Sequence, residues 1–264
     1  MTAPERNAPA NLSLSSRTQA AIFTRLFAVQ GSWNYETMLG TGVGFCVEPA
    51  LRNLPGGIGG EAFCEALARE TRYFNSHPYL AGAAVGALAR VELERRPAAQ
   101  IERFRSALCG PLGSVGDQLV WAGWLPVCSL LSLLLFGLGV PALGVVVAFL
   151  SIYNVGHVAL RVWALRAGWR EGLRVAVALG SPILRRGPQH IARTMMFLAG
   201  AALPVALARL ASATAPDIGR NALIGMLVGA GVLGFALVKL KGTLEGWKVA
   251  LGVLAVVVAY AVSP

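Results

Sequence analysis

The chain has 264 residues, of which 55% are hydrophobic and only 14% charged, well short of the roughly one quarter charged in an ordinary globular domain. Between Asp117 and Arg161 lie 43 residues without Asp, Glu, Lys or Arg, which excludes a soluble enzyme and requires membrane spans of about 20 apolar residues each. A net charge of +10 would suit a nucleic-acid binder, but residues 1–117 carry 11 basic against 10 acidic side chains, whereas 161–193 carry seven Arg against Glu171, so the excess sits beside spans and sets their orientation.

From the start, Met1 to Thr18 is polar and lacks the apolar core of a secretory signal, so insertion is expected to rely on internal spans. Ile22, Phe23, Leu26 and Phe27 recur at helical spacing with Arg17 and Arg25 among them, and Ser15 or Ser16 is placed to cap that helix. Phe63, Leu67 and Phe74 predict a second amphipathic helix, and Ile101, Phe104 and Leu108 a third. Each stripe fits a core-facing helix and a helix lying at the membrane interface equally well.

Spans are expected near 119–136, 139–162, 193–208, 221–238 and 248–262, with Gly137, Gly139 and Pro141 turning the chain between the first two. The linkers 161–193, 209–220 and 239–248 carry +6, +1 and +2. The positive-inside rule then puts the N-terminus, 161–193 and 239–248 in the cytoplasm, and 209–220 and the C-terminus outside. Gly225, Gly229 and Gly234 suit close helix packing in lipid. The expected fold is an all-α integral membrane protein: a cytoplasmic or interfacial, amphipathic or re-entrant helical region over 1–117, then about five transmembrane helices over 118–264. Cys46, Cys64, Cys109 and Cys128 form no CxxC pair and read as reduced, buried thiols; no metal or other cofactor is expected.

Three clusters before the first span combine polar groups with turn formers. They are Gly31-Ser32-Trp33-Asn34-Tyr35-Glu36, Phe74-Asn75-Ser76-His77-Pro78-Tyr79, and Gly110-Pro111-Leu112-Gly113-Ser114-Val115-Gly116-Asp117-Gln118. A lone carboxylate such as Asp117 at the mouth of an uncharged run ordinarily faces a cavity, a partner or a substrate path, and irregular Gly/Pro backbone is tolerated at membrane depth in the same settings. Together the clusters resemble the IID component of the mannose-type phosphotransferase sugar transporters, in which GSWNYE-like, FNTHPY-like and GPLAGIGDS-like motifs follow in that order. Here they read GSWNYE, FNSHPY and GPLGSVGDQ. Gln118 departs from the small residue frequent at its position, and the 209–220 linker is much shorter than the family's extracytoplasmic segment, as in a divergent member.

The resemblance implies an inner-membrane subunit that forms, with a IIC subunit, the path of a hexose. Soluble IIA and IIB partners carry the phosphoryl group on histidine, and IIB passes it to the sugar. On that reading Glu36 and Asp117 accept hydrogen bonds from sugar hydroxyls, while Asn75 with Asn34 and Gln118 offers donors and acceptors. Trp33 and Tyr35 stack on a pyranose face or anchor at the interface, and His77 is a ligand or a satisfied loop histidine. The carboxylates serve equally well as helix caps or arginine partners. His157, four residues from both Tyr153 and Arg161, reads as helix packing or interface placement. Two other classes compete: a membrane enzyme using Glu36, Asp117 and His77 as acid–base groups, which lacks a GxSxG-type nucleophile motif, and a regulatory or scaffold protein that has lost transport.

Overall fold

The computed structural model describes residues 13–180 and 182–214, and beyond them Gly225 and Gly229. The expected span near 248–262 and the linker 239–248 therefore lie outside the described residues, as do 215–220 and all of the span near 221–238 but Gly225 and Gly229.

Helix α1 (Ser16–Arg25) starts where expected, with Ser15 as its cap, accepting the Thr18 N–H at 3.1 Å. It runs into a 3₁₀ turn, Leu26–Ala28, and its stripe buries Ile22 and Leu26. Then follow α2 (Gly40–Leu51), α3 (Glu61–Glu70) and α4 (Ala81–Leu93). Phe63 and Leu67 lie on α3 as expected, but Phe74 does not; it sits beyond the helix in the second motif. Neither α2 nor α4 is foreshadowed by an apolar stripe, because both are buried almost all round.

The third motif corrects the sequence reading. Rather than a turn before the first span, Gly110–Gln118 lies in a continuous helical rod: α5 (Ala98–Gly116), a π-helical segment (Asp117–Trp124) and α6 (Leu125–Gly137). Pro111 is accommodated within α5. The expected amphipathic helix around Ile101 and the span at 119–136 are one rod. Gly139, at φ +97°, makes the turn into α7 (Ala142–Glu171), a conformation glycine adopts without steric cost. The basic stretch 161–193 is not an irregular linker: it comprises the end of α7, a 3₁₀ turn (Gly172–Arg174), α8 (Val175–Leu179) and the start of α9 (Pro182–Thr214).

The described residues are all-helical, with isolated β-bridges and no strand. Among the described residues, three stretches are long and apolar enough to cross a membrane: Ala98–Gly137, Ala142–Val177 and Arg186–Leu210. They contain the expected spans 119–136, 193–208 and most of 139–162.

The chain divides into two compact units, Met1–Ser129 with Val146–Met196, and Leu130–Val145 with Phe197–Pro264. In the second, a Cβ on Gly137 would stand 2.8 Å from the Ala206 nitrogen, so α6 and α9 meet almost backbone to backbone. The first unit holds the main core, where α4 crosses α7 equally closely: a Cβ on Gly168 would stand 2.1 Å from the Ala83 carbonyl oxygen. Two ion pairs are buried there. Arg105 of α5 donates to Glu70 of α3 at 3.0 Å and to the Glu70 and Arg72 carbonyls. Arg69 grips Glu92 of α4 with two bonds of 2.8 Å. Removing one member of such a pair leaves a buried charge and costs about 3–5 kcal/mol. Cys46 and Cys128 are buried as expected, but Cys64 is exposed and Cys109 half-buried.

Candidate functional site

The first motif is a loop held by its own asparagine. Asn34 Oδ1 accepts the N–H groups of Glu36 at 2.9 Å and Thr37 at 2.8 Å, while Nδ2 donates to the Ser32 carbonyl at 3.1 Å and to Thr37 Oγ1 at 2.9 Å. This is a side chain mimicking a backbone turn. Asn34 is thus committed to the loop it shapes. Trp33 and Tyr35 meet edge to face at 4.8 Å on the surface, and the Glu36 side chain is exposed.

Backbone hydrogen bonds lace this loop to the second motif. Leu39 N–H donates to the Phe74 carbonyl at 2.9 Å, and Phe74 N–H donates to the Thr37 carbonyl at 3.1 Å. Phe74 is fully buried, with the Arg105 guanidinium 5.4 Å over its ring, while Asn75 beside it is exposed. The two motifs, about 40 residues apart, form one structure through main-chain pairing that side-chain chemistry does not announce.

The second motif is in turn seated on the third. His77 N–H approaches the Leu112 carbonyl at 3.4 Å, and a Cβ on Gly116 would stand 2.1 Å from the His77 Cβ. Gly116 is therefore the floor on which His77 rests. The His77 carbonyl accepts from Leu80 and Ala81 N–H, both at 3.0 Å, and so starts α4. Its Nδ1 accepts the Tyr79 N–H at 3.1 Å, which makes it the bare nitrogen and leaves the proton on Nε2. Nε2 is buried with no hydrogen-bond partner among the described residues. Burial, helped by the nearby Arg161 charge, pulls His77 down to about 4, so it is neutral at pH 7. Asp117 and Gln118, the next two residues after Gly116, are exposed at the start of the π-helical segment.

Behind His77 stands a layer that the motifs alone do not indicate. Tyr79 stacks on His157 at 4.1 Å, and its hydroxyl meets that of Tyr153 at 2.7 Å. Arg161 Nε donates to His157 Nε2 at 2.7 Å, and Nη1 donates to the Leu26 carbonyl. The guanidinium lies 5.0 Å over Tyr79 and 5.4 Å over Phe27. Arg161 is 3% exposed and has no carboxylate partner among the described residues; aromatic faces and a carbonyl hold its charge instead. Tyr153, His157 and Arg161 share one face of α7 at spacings of four, which was the legible trace of this cluster. Trp121, half-exposed, lies 5.2 Å from the His77 ring. An apolar cavity of about 280 Å³ opens beside it, bounded by Tyr79, Trp124, His157 and Ile191.

The arrangement offers exposed carboxylates (Glu36, Asp117), exposed amides (Asn75, Gln118) and aromatic rings (Trp33, Tyr35, Trp121) around a tightly built frame. Such groups bind a polyol by hydrogen bonding and stacking. Among the described residues no three His, Cys, Asp or Glu side chains stand close enough together to hold a metal ion.

Comparison with known proteins agrees with the motifs. A family model described as "PTS system mannose/fructose/sorbose family IID component" matches residues 13–201. The mannose-specific EIID component of Escherichia coli (strain K12) is 28% identical over 188 residues, 68% of this chain and 64% of that protein. The chain thus aligns with somewhat less than two thirds of that relative's length. The sorbose-specific EIID component of Klebsiella pneumoniae is 29% identical over 189 residues, covering 68% of this chain and 66% of that protein. Among solved structures, one described as a membrane protein superposes with a TM-score of 0.63 at 25% identity, covering 72% of this chain and 70% of that one. A chain of the cryo-EM complex of the mannose transporter ManYZ with microcin E492 superposes at 0.55 and 22% identity, covering 94% and 97%, which supports the fold.

Proposed function

Since the chain belongs to the IID component family of the mannose/fructose/sorbose phosphotransferase systems, we propose that it is the membrane subunit that forms, with a IIC partner, the uptake path of a hexose. The sugar is phosphorylated on arrival by a IIB partner charged by IIA, and this chain holds the sugar without itself carrying the phosphoryl group. Glu36, Asn75, Asp117 and Gln118 contact the sugar hydroxyls, with Trp33 at the rim. Asn34 shapes the loop that presents Glu36, and His77 fixes the spacing between the second and third motifs. The protein sits in the bacterial inner membrane with five spans, its N-terminus cytoplasmic and its C-terminus outside, as the charges of its linkers favour.

One observation carries this reading. Main-chain bonds and a glycine contact draw three separate polar motifs into a single frame beside a membrane-length helix, yet leave their carboxylates and amides exposed. A purely structural cluster would spend those groups on internal partners, as Asn34 does.

The test is co-expression with a IIC subunit, followed by copurification and binding of labelled hexoses. A stable complex that binds a hexose, where the separate subunits do not, is the expected result. A chain that purifies alone as a thermally stable monomer and captures no IIC would overturn the paired-subunit model.

A further inference from the structure

Within the first unit, α1, α4 and α7 leave a groove of about 340 Å³. Its walls are Phe23 of α1, Ala89 of α4, and Leu165 and Trp169 of α7, and Ala20 stands at its mouth. Its polar members are Gln19 and Arg166. Gln19 is already used, donating to the Leu14 carbonyl at 2.8 Å. Arg166 is exposed and has no carboxylate within ion-pairing distance among the described residues.

The depth of Arg166 in the bilayer decides what fills the groove. It lies 24 residues beyond Ala142, the first residue of α7, or roughly 36 Å along the helix at about 1.5 Å per residue. With a hydrocarbon layer about 30 Å thick and Ala142 at its opposite edge, Arg166 would stand at headgroup level, with Leu165 and Val162 bordering the acyl region. Trp169, one turn on, has the amphipathic ring favoured at that boundary. An apolar slot with an unpaired cation at its headgroup end complements a lipid with an anionic phosphate.

We propose that this groove is a binding site for an anionic phospholipid, with an acyl chain against Phe23, Ala89 and Leu165 and its phosphate on Arg166. The lipid would brace amphipathic α1 against α7, and so support the Leu26 carbonyl that receives Arg161.

Native mass spectrometry of the full chain, gently delipidated and titrated with phosphatidylglycerol or phosphatidylcholine of matched acyl chains, tests the assignment. Wild type should hold one phosphatidylglycerol about fivefold more tightly than phosphatidylcholine, the preference one arginine near an anionic headgroup gives. Arg166→Gln, a surface change, should remove the preference, and Arg166→Glu should reverse it. Ala20→Trp should fill the mouth and abolish binding of both lipids while the melting temperature in detergent is kept. Equal affinity for the two lipids in wild type, or an Arg166→Gln variant with undiminished preference, would overturn the site. So would an Ala20→Trp variant that keeps its lipid but loses a protein partner, since that result makes the groove a protein interface.

Discussion

Adding one methyl group to Gly116 should damage this protein more than its chemistry suggests. A Cβ there would stand 2.1 Å from His77 Cβ and 2.5 Å from its Cγ, where ordinary contact begins at 3.4 Å. His77 would have to retreat by more than an ångström. It is tied on three sides, by the Leu112 carbonyl, the Tyr79 N–H and the two N–H groups that its own carbonyl receives. Overpacking of this kind costs about 1–3 kcal/mol, a loosened hydrogen bond adds about 1, and the better helix propensity of alanine returns about 0.5–1. A net loss of about 2 kcal/mol corresponds to a melting temperature lower by roughly 4–8 °C. Gly113, one turn earlier on α5, has nothing within 4 Å; there the same change should leave stability equal or raised by about 0.5–1 kcal/mol. Thermal unfolding of both variants in detergent, followed by tryptophan fluorescence, makes the comparison. If Gly116→Ala melts with wild type, or if Gly113→Ala is just as damaged, then the second and third motifs are not locked together through His77.

Asp117→Asn keeps the shape and loses the charge-assisted part of a sugar contact, so hexose affinity of the assembled complex should fall about five- to thirtyfold with subunit ratio unchanged; undiminished affinity removes Asp117 from the sugar path. Because burial holds His77 near 4 against an ordinary 6.5, its contribution is present above pH 6.5 and lost as pH falls toward 4, about 2 kcal/mol between pH 7 and 5. Wild type should lose that much relative to His77→Gln, and the difference isolates the histidine, since Glu70, pushed up by burial, acts in the opposite direction in both proteins. Parallel melting curves across that range would refute it. For topology, a reporter within 170–190 should read as cytoplasmic and one fused after Pro264 as external; a cytoplasmic Pro264 fusion contradicts the five-span proposal.

Composition carried the membrane assignment, since no soluble core needs 43 uncharged residues. The α1 stripe was equally legible, with a serine cap and apolar residues at helical spacing. Helices α2 and α4 were not. GTGVGFCVEPAL and AGAAVGALARVEL are too rich in glycine and alanine to show a stripe, and their burial on every side removes the polar face that periodicity needs. Gly110, Pro111, Gly113 and Gly116 read as a turn for the opposite reason: local propensity argued against a helix that the neighbouring turns of α5 and the π segment impose. At the site, the motifs were visible as residues but not as a frame. Their union depends on main-chain bonds such as Leu39 to Phe74, which leave no mark in side-chain identity. Asn34 illustrates the cost of that blindness, since a residue able to bind a polyol is also able to bind its own loop, and here does.

The π-helical segment also bears on how this chain tolerates length change. Its last bond joins Leu125 N–H to the Val120 carbonyl, five residues back, rather than the usual four. A wide turn of this kind holds one residue more than an α-turn of similar rise. An α-helix has no such slack, and losing a residue there rotates everything downstream onto the wrong face. Between Gln118 and Trp124, by contrast, one residue is available to be lost: the widened turn would close to ordinary α geometry and α6 would keep its facing. A relative one residue shorter in this stretch would therefore keep the facing of the helix beyond it.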